Sequence, residues 1–191
     1  MPKRKIIVYI ATSADGFIAR KDGGFDWLDR PRPKGDYGML QFFKSIDTII
    51  MGRKTYDLVV RFHREGKPIP TMAGIKNYVF SRKPPKKVLP GFEFIKQPIK
   101  QFATKLRAQR GKDIWMMGGG GIIGSFLDAD AIDEFVIHKL PVFIGEGIPL
   151  IAPRRRTLQL RLLGTKKYSD GVVELHYAVK AAPPARRAKR R

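Results

Sequence analysis

The sequence contains no cysteine, few acidic residues and no long apolar segment. The lack of cysteine excludes disulfide bonds, thiolate catalysis and metal sites built on thiolates. No stretch approaches the roughly 18 consecutive apolar residues of a transmembrane helix, and the first residues lack a signal-peptide cleavage pattern. His63, His138 and His176 are scattered without metal-ligand spacing, so we expect no metal site. We therefore expect a cytoplasmic protein that does not associate with membranes.

Acidic residues are outnumbered: 38 lysines and arginines stand against 17 aspartates and glutamates, which gives a formal net charge of +21. A field of this sign attracts polyanions and small anionic molecules. Basic residues are concentrated in residues 186–191, behind the Ala-Ala-Pro-Pro-Ala of residues 181–185, and this composition predicts a disordered basic tail over 181–191. We expect weak, non-specific polyanion binding through that tail. The sequence shows neither a helix-turn-helix pattern nor the basic stripe with interleaved aromatic residues that is typical of single-strand binders.

The chain is long enough for one domain with a substantial core, which we assign to residues 1–180. Apolar, β-branched segments alternate with helical patterns, and such an order requires crossovers in a largely parallel sheet. A turn at Ser169-Asp-Gly171 joins the last two strands, which predicts a C-terminal antiparallel hairpin. The predicted fold class is α/β, with a central, mostly parallel mixed sheet flanked by helices. Predicted strands cover residues 5–11, 47–52, 76–80, 92–95, 113–117, 132–140, 158–167 and 172–179, predicted helices cover 36–45, 53–60, 99–109 and 122–127, and 12–34 is a long loop.

The most distinctive motif is Met116-Met-Gly-Gly-Gly-Gly-Ile-Ile123, in which a strand runs through glycines directly into a helix. Glycines allow close backbone approach, and a helix N-terminus offers free N–H groups and partial positive charge to a phosphate. Gly119, Gly121 and Gly124 also match the G-x-G-x-x-G spacing of a Rossmann domain. That fingerprint normally opens its fold, whereas only about 70 residues follow it here. A glycine turn that merely packs a strand against a helix is the alternative.

Two further junctions follow predicted strands. Gly52-Arg-Lys-Thr55 places two cations and a hydroxyl on a first helical turn, where cations oppose the helix dipole unless an anion is bound. Ser81 and Arg82 present a hydroxyl and a guanidinium at the end of the next strand. Because ligands bind beyond the carboxyl ends of strands in open α/β sheets, the junctions together predict a site for an extended, phosphate-bearing ligand. Ordinary solvated bases are the alternative.

These motifs and their order resemble the dihydrofolate reductase fold, and more closely the reductase domain of bacterial riboflavin biosynthesis, which is the C-terminal domain of a bifunctional deaminase-reductase. The resemblance extends over about residues 5–179 and includes the opening Ala-Thr-Ser-Ala-Asp-Gly-Phe-Ile-Ala of residues 11–19 and the segments 126–134 and 140–150. It implies a stand-alone, NADPH-dependent reductase of a small heterocyclic substrate, similar to 5-amino-6-(5-phosphoribosylamino)uracil reductase.

The same resemblance implies an NADPH site. Ala11 and Ile18 would flank the nicotinamide, while Ser81 and Arg82 would meet the adenosine 2′-phosphate and favour NADPH over NADH. The loop 12–34 would close over the site, with Trp27 as its apolar anchor. The residues that would hold the phosphates and the nicotinamide ribose are Gly52, Arg53, Lys54, Thr55, Met117, Gly118, Gly119, Gly120, Gly121 and Ile122.

The candidate catalytic residues are two carboxylates, Asp15 and Asp36. Folate reductases place a carboxylate on the first long helix; the matching position here is Met39, and Asp36 lies about one turn earlier, which argues against dihydrofolate as the substrate. Asp15 lies in the opening motif, although an aspartate beside a glycine is also typical of a turn. A folate reductase with a displaced acid and a non-enzymatic nucleic-acid-binding protein on the same fold remain alternatives, and homodimer formation is left open.

Overall fold

One eight-stranded sheet forms the centre of the structure, a computed structural model that describes residues 3–30, 35–67 and 74–180. In chain order the strands are β1 (Ile6–Thr12), β2 (Phe17–Ala19), β3 (Ile46–Gly52), β4 (Lys76–Phe80), β5 (Phe92–Ile95), β6 (Asp113–Gly118), β7 (Glu134–Lys139), β8 (Ile148–Pro149), β9 (Leu160–Lys167) and β10 (Val173–Val179). The helices are a 3₁₀ turn (Asp26–Leu28), α1 (Met39–Ser45), α2 (Arg53–Arg64), α3 (Ile99–Ala108) and α4 (Gly120–Asp128). The tail predicted at 181–191 lies outside the described residues, so the domain limits stay a prediction.

The sheet has the order β5-β4-β3-β6-β1-β7-β10-β9. The first six strands in this order, from β5 at the edge to β7, are parallel to one another. Strand β10 is antiparallel to both β7 and β9. This is the mixed α/β sheet with a C-terminal hairpin that the sequence predicts, so the predicted fold class is confirmed. Within the described residues, no helix has the length and apolarity needed to cross a bilayer.

Two hydrophobic cores cover the two faces of the sheet. On the back face, α3 and α4 pack on alternate residues of the central strands, such as Ile6 and Val8 of β1. On the front face, α1 and α2 pack on the other set, including Ile7 and Tyr9. Because both faces are covered, the sequences of the central strands are nearly continuous apolar runs. Burying each large apolar side chain contributes roughly 1.5–3 kcal/mol to the stability of the fold.

The predicted loop 12–34 is more ordered than the sequence suggested. It contains β2, which pairs with β8 in a separate antiparallel ribbon, and the 3₁₀ turn that buries Trp27. A three-residue strand shows no periodicity, and its partner lies far away in the chain. Helix α4 also begins earlier than predicted, at Gly120, where the backbone passes so close to Pro149 that only glycine fits.

Candidate functional site

The strand-to-helix junctions meet at one edge of the sheet, where the parallel strands end. In the strand register Gly52 lies beside Phe80, and Met51 lies beside Gly118. Strand β1 lies next to β6, since Val8 pairs with Met116. The segments that the sequence singled out separately are therefore neighbours, as the positions of their strands require.

The glycine loop leads from β6 into α4. Gly118 has φ +119°, a conformation suited to glycine, and its peptide bond to Gly119 is cis. Gly119 is the N-cap of α4, and no side chain caps this helix end. Its carbonyl accepts hydrogen bonds from Ile122 and Ile123 at 3.1 and 3.2 Å. The first turn of α4 thus offers backbone N–H groups and the positive end of a helix dipole to an anion.

The space around the glycine loop distinguishes packing glycines from open ones. A Cβ built on Gly120 would lie 2.2 Å from the Pro149 carbonyl oxygen, so packing alone requires this glycine. A Cβ on Gly119 would lie 3.8 Å from Ile18 Cδ1 and from Thr55 Oγ1, and one on Gly121 would have no atom within 4 Å. Gly119 therefore has room for a Cβ in a gap between Ile18 on β2 and Thr55 at the start of α2, and packing with these neighbours does not require a glycine there.

The groups predicted to meet a 2′-phosphate are also brought together. Arg53 Nη1 donates to the Lys83 carbonyl at 2.6 Å, and Ser81 Oγ donates to the same oxygen at 3.1 Å. Arg53 Nε also donates to Asp57 at 2.8 Å, which fixes the guanidinium plane. Arg82 lies between Ser81 and Lys83 and is exposed, as is Lys54 on the first turn of α2. The cluster is cationic, open to solvent and next to the glycine loop.

The predicted nicotinamide end lies at the end of β1. Ala11 packs against a small apolar cluster that contains Trp27, Leu140 and Val172, so the 3₁₀ turn of the long loop covers this end of the strand. Ile18 lies on β2 and reaches the space in front of Gly119. The structure therefore brings Ile18 next to the glycine loop, while Ala11 packs in the cluster of Trp27.

The carboxylate of Asp15 is held by backbone N–H groups. It accepts hydrogen bonds from Gly145 at 2.8 Å and from Ile144 at 3.2 Å, and the Ser13 hydroxyl together with these bonds lowers the pKa of Asp15. These contacts tie the loop after β1 to the segment before β8. They favour a structural role for Asp15, and its catalytic role stays a prediction.

Asp36 is bonded in a similar way at the start of α1. Its two carboxylate oxygens accept hydrogen bonds from the backbone N–H groups of Gly38 and Leu40, which lower the pKa of Asp36. A carboxylate at this end of a helix satisfies otherwise unpaired donors. This bonding explains why α1 begins at Met39 rather than at Asp36, and the catalytic role of Asp36 likewise stays a prediction.

A buried polar cluster on the front face was not anticipated from the sequence. It comprises a histidine, a glutamate and three tyrosines, and we call it the front-face cluster: Tyr9, Tyr37, His138, Tyr168 and Glu174. His138 was considered only as a metal ligand, and the glutamate in the last strand carries no motif. A signal was available in the alternation of β10, which places a charged residue among apolar ones.

Comparisons with known proteins agree with this architecture. Residues 4–174 match the RibD C-terminal domain family. The Bacillus subtilis (strain 168) protein YwjB is 38% identical over 175 residues, which is 92% of this chain and 98% of YwjB. A solved structure from Shewanella sp. PV-4, named for riboflavin biosynthesis, superposes with a TM-score of 0.79 at 29% identity, covering 93% of this chain and 99% of that one.

The similarity in fold extends further than the similarity in sequence. Dihydrofolate reductase from Enterococcus faecalis, solved in complex with NADP(H), superposes with a TM-score of 0.62 at 13% identity. The match covers 93% of this chain and 97% of that one, and at this identity it shows the fold alone. The resemblance inferred from the sequence motifs is confirmed, and the chain belongs to the RibD C-terminal domain family.

Proposed function

We propose that this protein is an NADPH-dependent reductase of a small heterocyclic substrate, of the type that acts in riboflavin biosynthesis. The observation that carries the proposal is the gap in front of Gly119, bounded by Ile18 and Thr55, at the sheet edge where the junctions β3–α2 and β6–α4 lie side by side. Membership of the RibD C-terminal domain family supports the riboflavin-type chemistry. The shared fold with a reductase solved with NADP(H) supports the cofactor.

The residues around the gap suit the parts of the cofactor in order. Gly119, Gly121 and the N-terminus of α4 would hold the pyrophosphate, while Thr55 at the start of α2 offers a hydroxyl. On the far side, the guanidiniums of Arg53 and Arg82 would pair with the adenosine 2′-phosphate, which only NADPH carries. Bound NADPH would supply the hydride, and the protein has to supply alignment and a dry site.

The rest of the chain's contribution is positioning. Ala11 and Ile18 would present apolar side chains to the reacting end, and Trp27 belongs to the cluster against which Ala11 packs. Covering this end with apolar groups excludes water that would compete for the hydrogen bonds of the substrate. Asp15 and Asp36 are proposed as candidates for the proton-handling step, although both carboxylates bond to backbone N–H groups.

Turnover assays test this proposal. The purified protein is mixed with NADPH and either 5-amino-6-(5-phosphoribosylamino)uracil or dihydrofolate, and the loss of reduced-nicotinamide absorbance is followed. We expect NADPH to be consumed with 5-amino-6-(5-phosphoribosylamino)uracil. We expect weak or no reduction of dihydrofolate, because Met39 stands where folate reductases place an acid. Robust dihydrofolate turnover that is lost in Asp36→Asn would instead show a folate reductase with a displaced acid. Turnover of neither compound would contradict the riboflavin-type substrate.

A further inference from the structure

The front-face cluster lies in a row with the predicted nicotinamide end of the site. In the strand register Ala11 pairs with His138 across β1 and β7, and His138 pairs with Glu174 across β7 and β10. Side chains of paired residues project from the same face of a sheet. Glu174 and His138 are therefore the polar groups next to Ala11 on the face that the long loop covers.

Only one of the two carboxylate oxygens of Glu174 accepts hydrogen bonds from the described residues. Its Oε2 accepts hydrogen bonds from Tyr168 at 2.9 Å and from His138 Nε2 at 3.2 Å. Its Oε1 makes no hydrogen bond with another residue that the structure describes, and the side chain is 24% exposed. A carboxylate oxygen that is oriented by its neighbour and remains open is a strong hydrogen-bond acceptor.

His138 does not neutralise this carboxylate. The ring nitrogen Nε2 lies 3.2 Å from two acceptors, Glu174 Oε2 and the Tyr37 carbonyl, so Nε2 carries the hydrogen. Burial lowers the pKa of His138, against the opposing effect of Glu174, and the imidazole is neutral near pH 7. Lys166, the register partner of Glu174, places its ammonium 4.7 Å from the centre of the Tyr168 ring. Among the described residues, no lysine or arginine forms an ion pair with Glu174.

A second, independent observation on this face is an unused donor. The indole Nε1 of Trp27 is buried and has no hydrogen-bond partner among the described residues. Trp27 belongs to the same apolar cluster as Ala11 and Tyr168. A buried donor without a partner costs free energy. Tyr168 links this donor to Glu174, because Tyr168 packs against the cluster of Trp27 and donates to Glu174 Oε2, and the two groups together fit a ligand that has both an N–H and an acceptor atom.

We propose that Glu174 is the residue that binds the N–H edge of the substrate's heterocyclic ring, with Trp27 Nε1 donating to a carbonyl oxygen of the same ring. This assignment rests on the proposed function, because Ala11 marks the reacting end only if NADPH binds as described. The ligand class is a neutral lactam ring with adjacent N–H and C=O groups. Asp36 is less available for this contact, since each of its oxygens already accepts a hydrogen bond from a backbone N–H group.

A matched pair of probes isolates the N–H contact. The ligand 5,6-diaminouracil carries ring N–H groups, and 5,6-diamino-1,3-dimethyluracil keeps the carbonyls and loses both ring N–H groups. Each is titrated into the NADPH-treated wild-type protein by calorimetry, together with Glu174→Gln and the control Glu93→Gln, whose carboxylate is exposed on distant β5. Glutamine can still accept hydrogen bonds from Tyr168 and His138, so the variant removes the charge and keeps the shape.

We expect the wild-type protein and Glu93→Gln to prefer 5,6-diaminouracil, and Glu174→Gln to bind it at least about tenfold more weakly while its melting temperature is kept. No binding to the wild-type protein, equal binding of the two probes, or equal binding by Glu174→Gln would overturn the assignment. NADPH affinity is measured separately in each protein. If the wild-type protein does not bind NADPH, the proposed function is refuted. If it binds NADPH but binds the two uracil probes equally, only the role of Glu174 is refuted.

Discussion

Gly119 and Gly120 are adjacent in the same loop, but a side chain has opposite consequences at the two positions. At Gly120 a Cβ collides with the Pro149 carbonyl, so substitution would disturb the fold. At Gly119 the backbone has φ −78°, which any residue can adopt, and a Cβ makes only ordinary contacts. The glycine at 119 is therefore better explained by what approaches it from outside than by packing.

Gly119→Val tests this explanation. The valine methyl groups would project into the gap between Ile18 and Thr55 that the pyrophosphate needs, so we expect NADPH affinity to fall at least about tenfold, a loss of about 1.4 kcal/mol, while the melting temperature is nearly unchanged. Gly164→Val, in open space on β9, is the control and should bind normally. Normal NADPH binding by Gly119→Val would show that the loop is only structural.

His138 gives the stability of the protein a defined pH dependence. Burial holds the pKa of His138 below its value of about 6.5 in the unfolded chain, so below that pH the unfolded state binds a proton that the folded state does not. The contribution of the neutral imidazole to the free energy of unfolding is fully present above pH 6.5 and is lost as the pH falls. The free energy of unfolding then decreases by at most about 1.4 kcal/mol per pH unit. Denaturant unfolding between pH 7 and pH 5 should show a smaller slope for His138→Asn than for the wild type. Identical slopes would rule out the buried, neutral imidazole.

At the scale of secondary-structure elements, the ribbon of β2 and β8 carries Ile18 into the site. The two segments of this ribbon approach each other closely at Gly147, just before β8, where a Cβ would lie 2.3 Å from the Ala19 carbonyl oxygen. Asp15 ties the same two segments together through the N–H groups of Ile144 and Gly145. The position of Ile18 therefore depends on Gly147 and on the carboxylate of Asp15.

Gly147→Ala should separate the two ends of the cofactor site. The added methyl group must push β2 away from β8, so we expect weaker NADPH binding and unchanged binding of adenosine 2′,5′-bisphosphate, which has no nicotinamide. Fluorescence titrations with both ligands measure this difference, with Gly164→Ala as the control. Unchanged NADPH affinity would mean that β2 does not contribute to the site.

Some of the secondary-structure elements and their contacts could be predicted from the sequence alone, and others could not. The buried parallel strands and the three junctions were predictable, because apolar runs, glycines and first-turn cations are local signals. The strands β4 and β5 have their predicted bounds. The pairing of β2 with β8 was not predictable, since neither has a periodic pattern. The row formed by Ala11, His138 and Glu174 depends on the register of three strands, which no local pattern encodes.

At the scale of the whole molecule, the net charge of +21 raises the alternative of nucleic-acid binding. Deleting residues 181–191 removes five basic residues and lowers the formal charge to +16. We expect NADPH affinity and the melting temperature to stay unchanged, because the segment follows the last strand and is rich in alanine and proline. Binding of RNA and DNA at two ionic strengths should weaken and lose part of its salt dependence. Tight, sequence-selective binding that survives the deletion, without NADPH affinity, would favour the alternative.

A paired titration of the wild-type protein with NADPH and NADH tests whether the sheet edge holds NADPH. Tryptophan quenching and reduced-nicotinamide emission report binding of both cofactors under the same conditions. Because Arg53, Ser81 and Arg82 surround the expected 2′-phosphate position, a charge-assisted contact of roughly 1.5–3 kcal/mol should make NADPH about 10- to 150-fold tighter than NADH. Equal affinity for the two cofactors would contradict the 2′-phosphate site, and affinity for neither would contradict the reductase assignment itself.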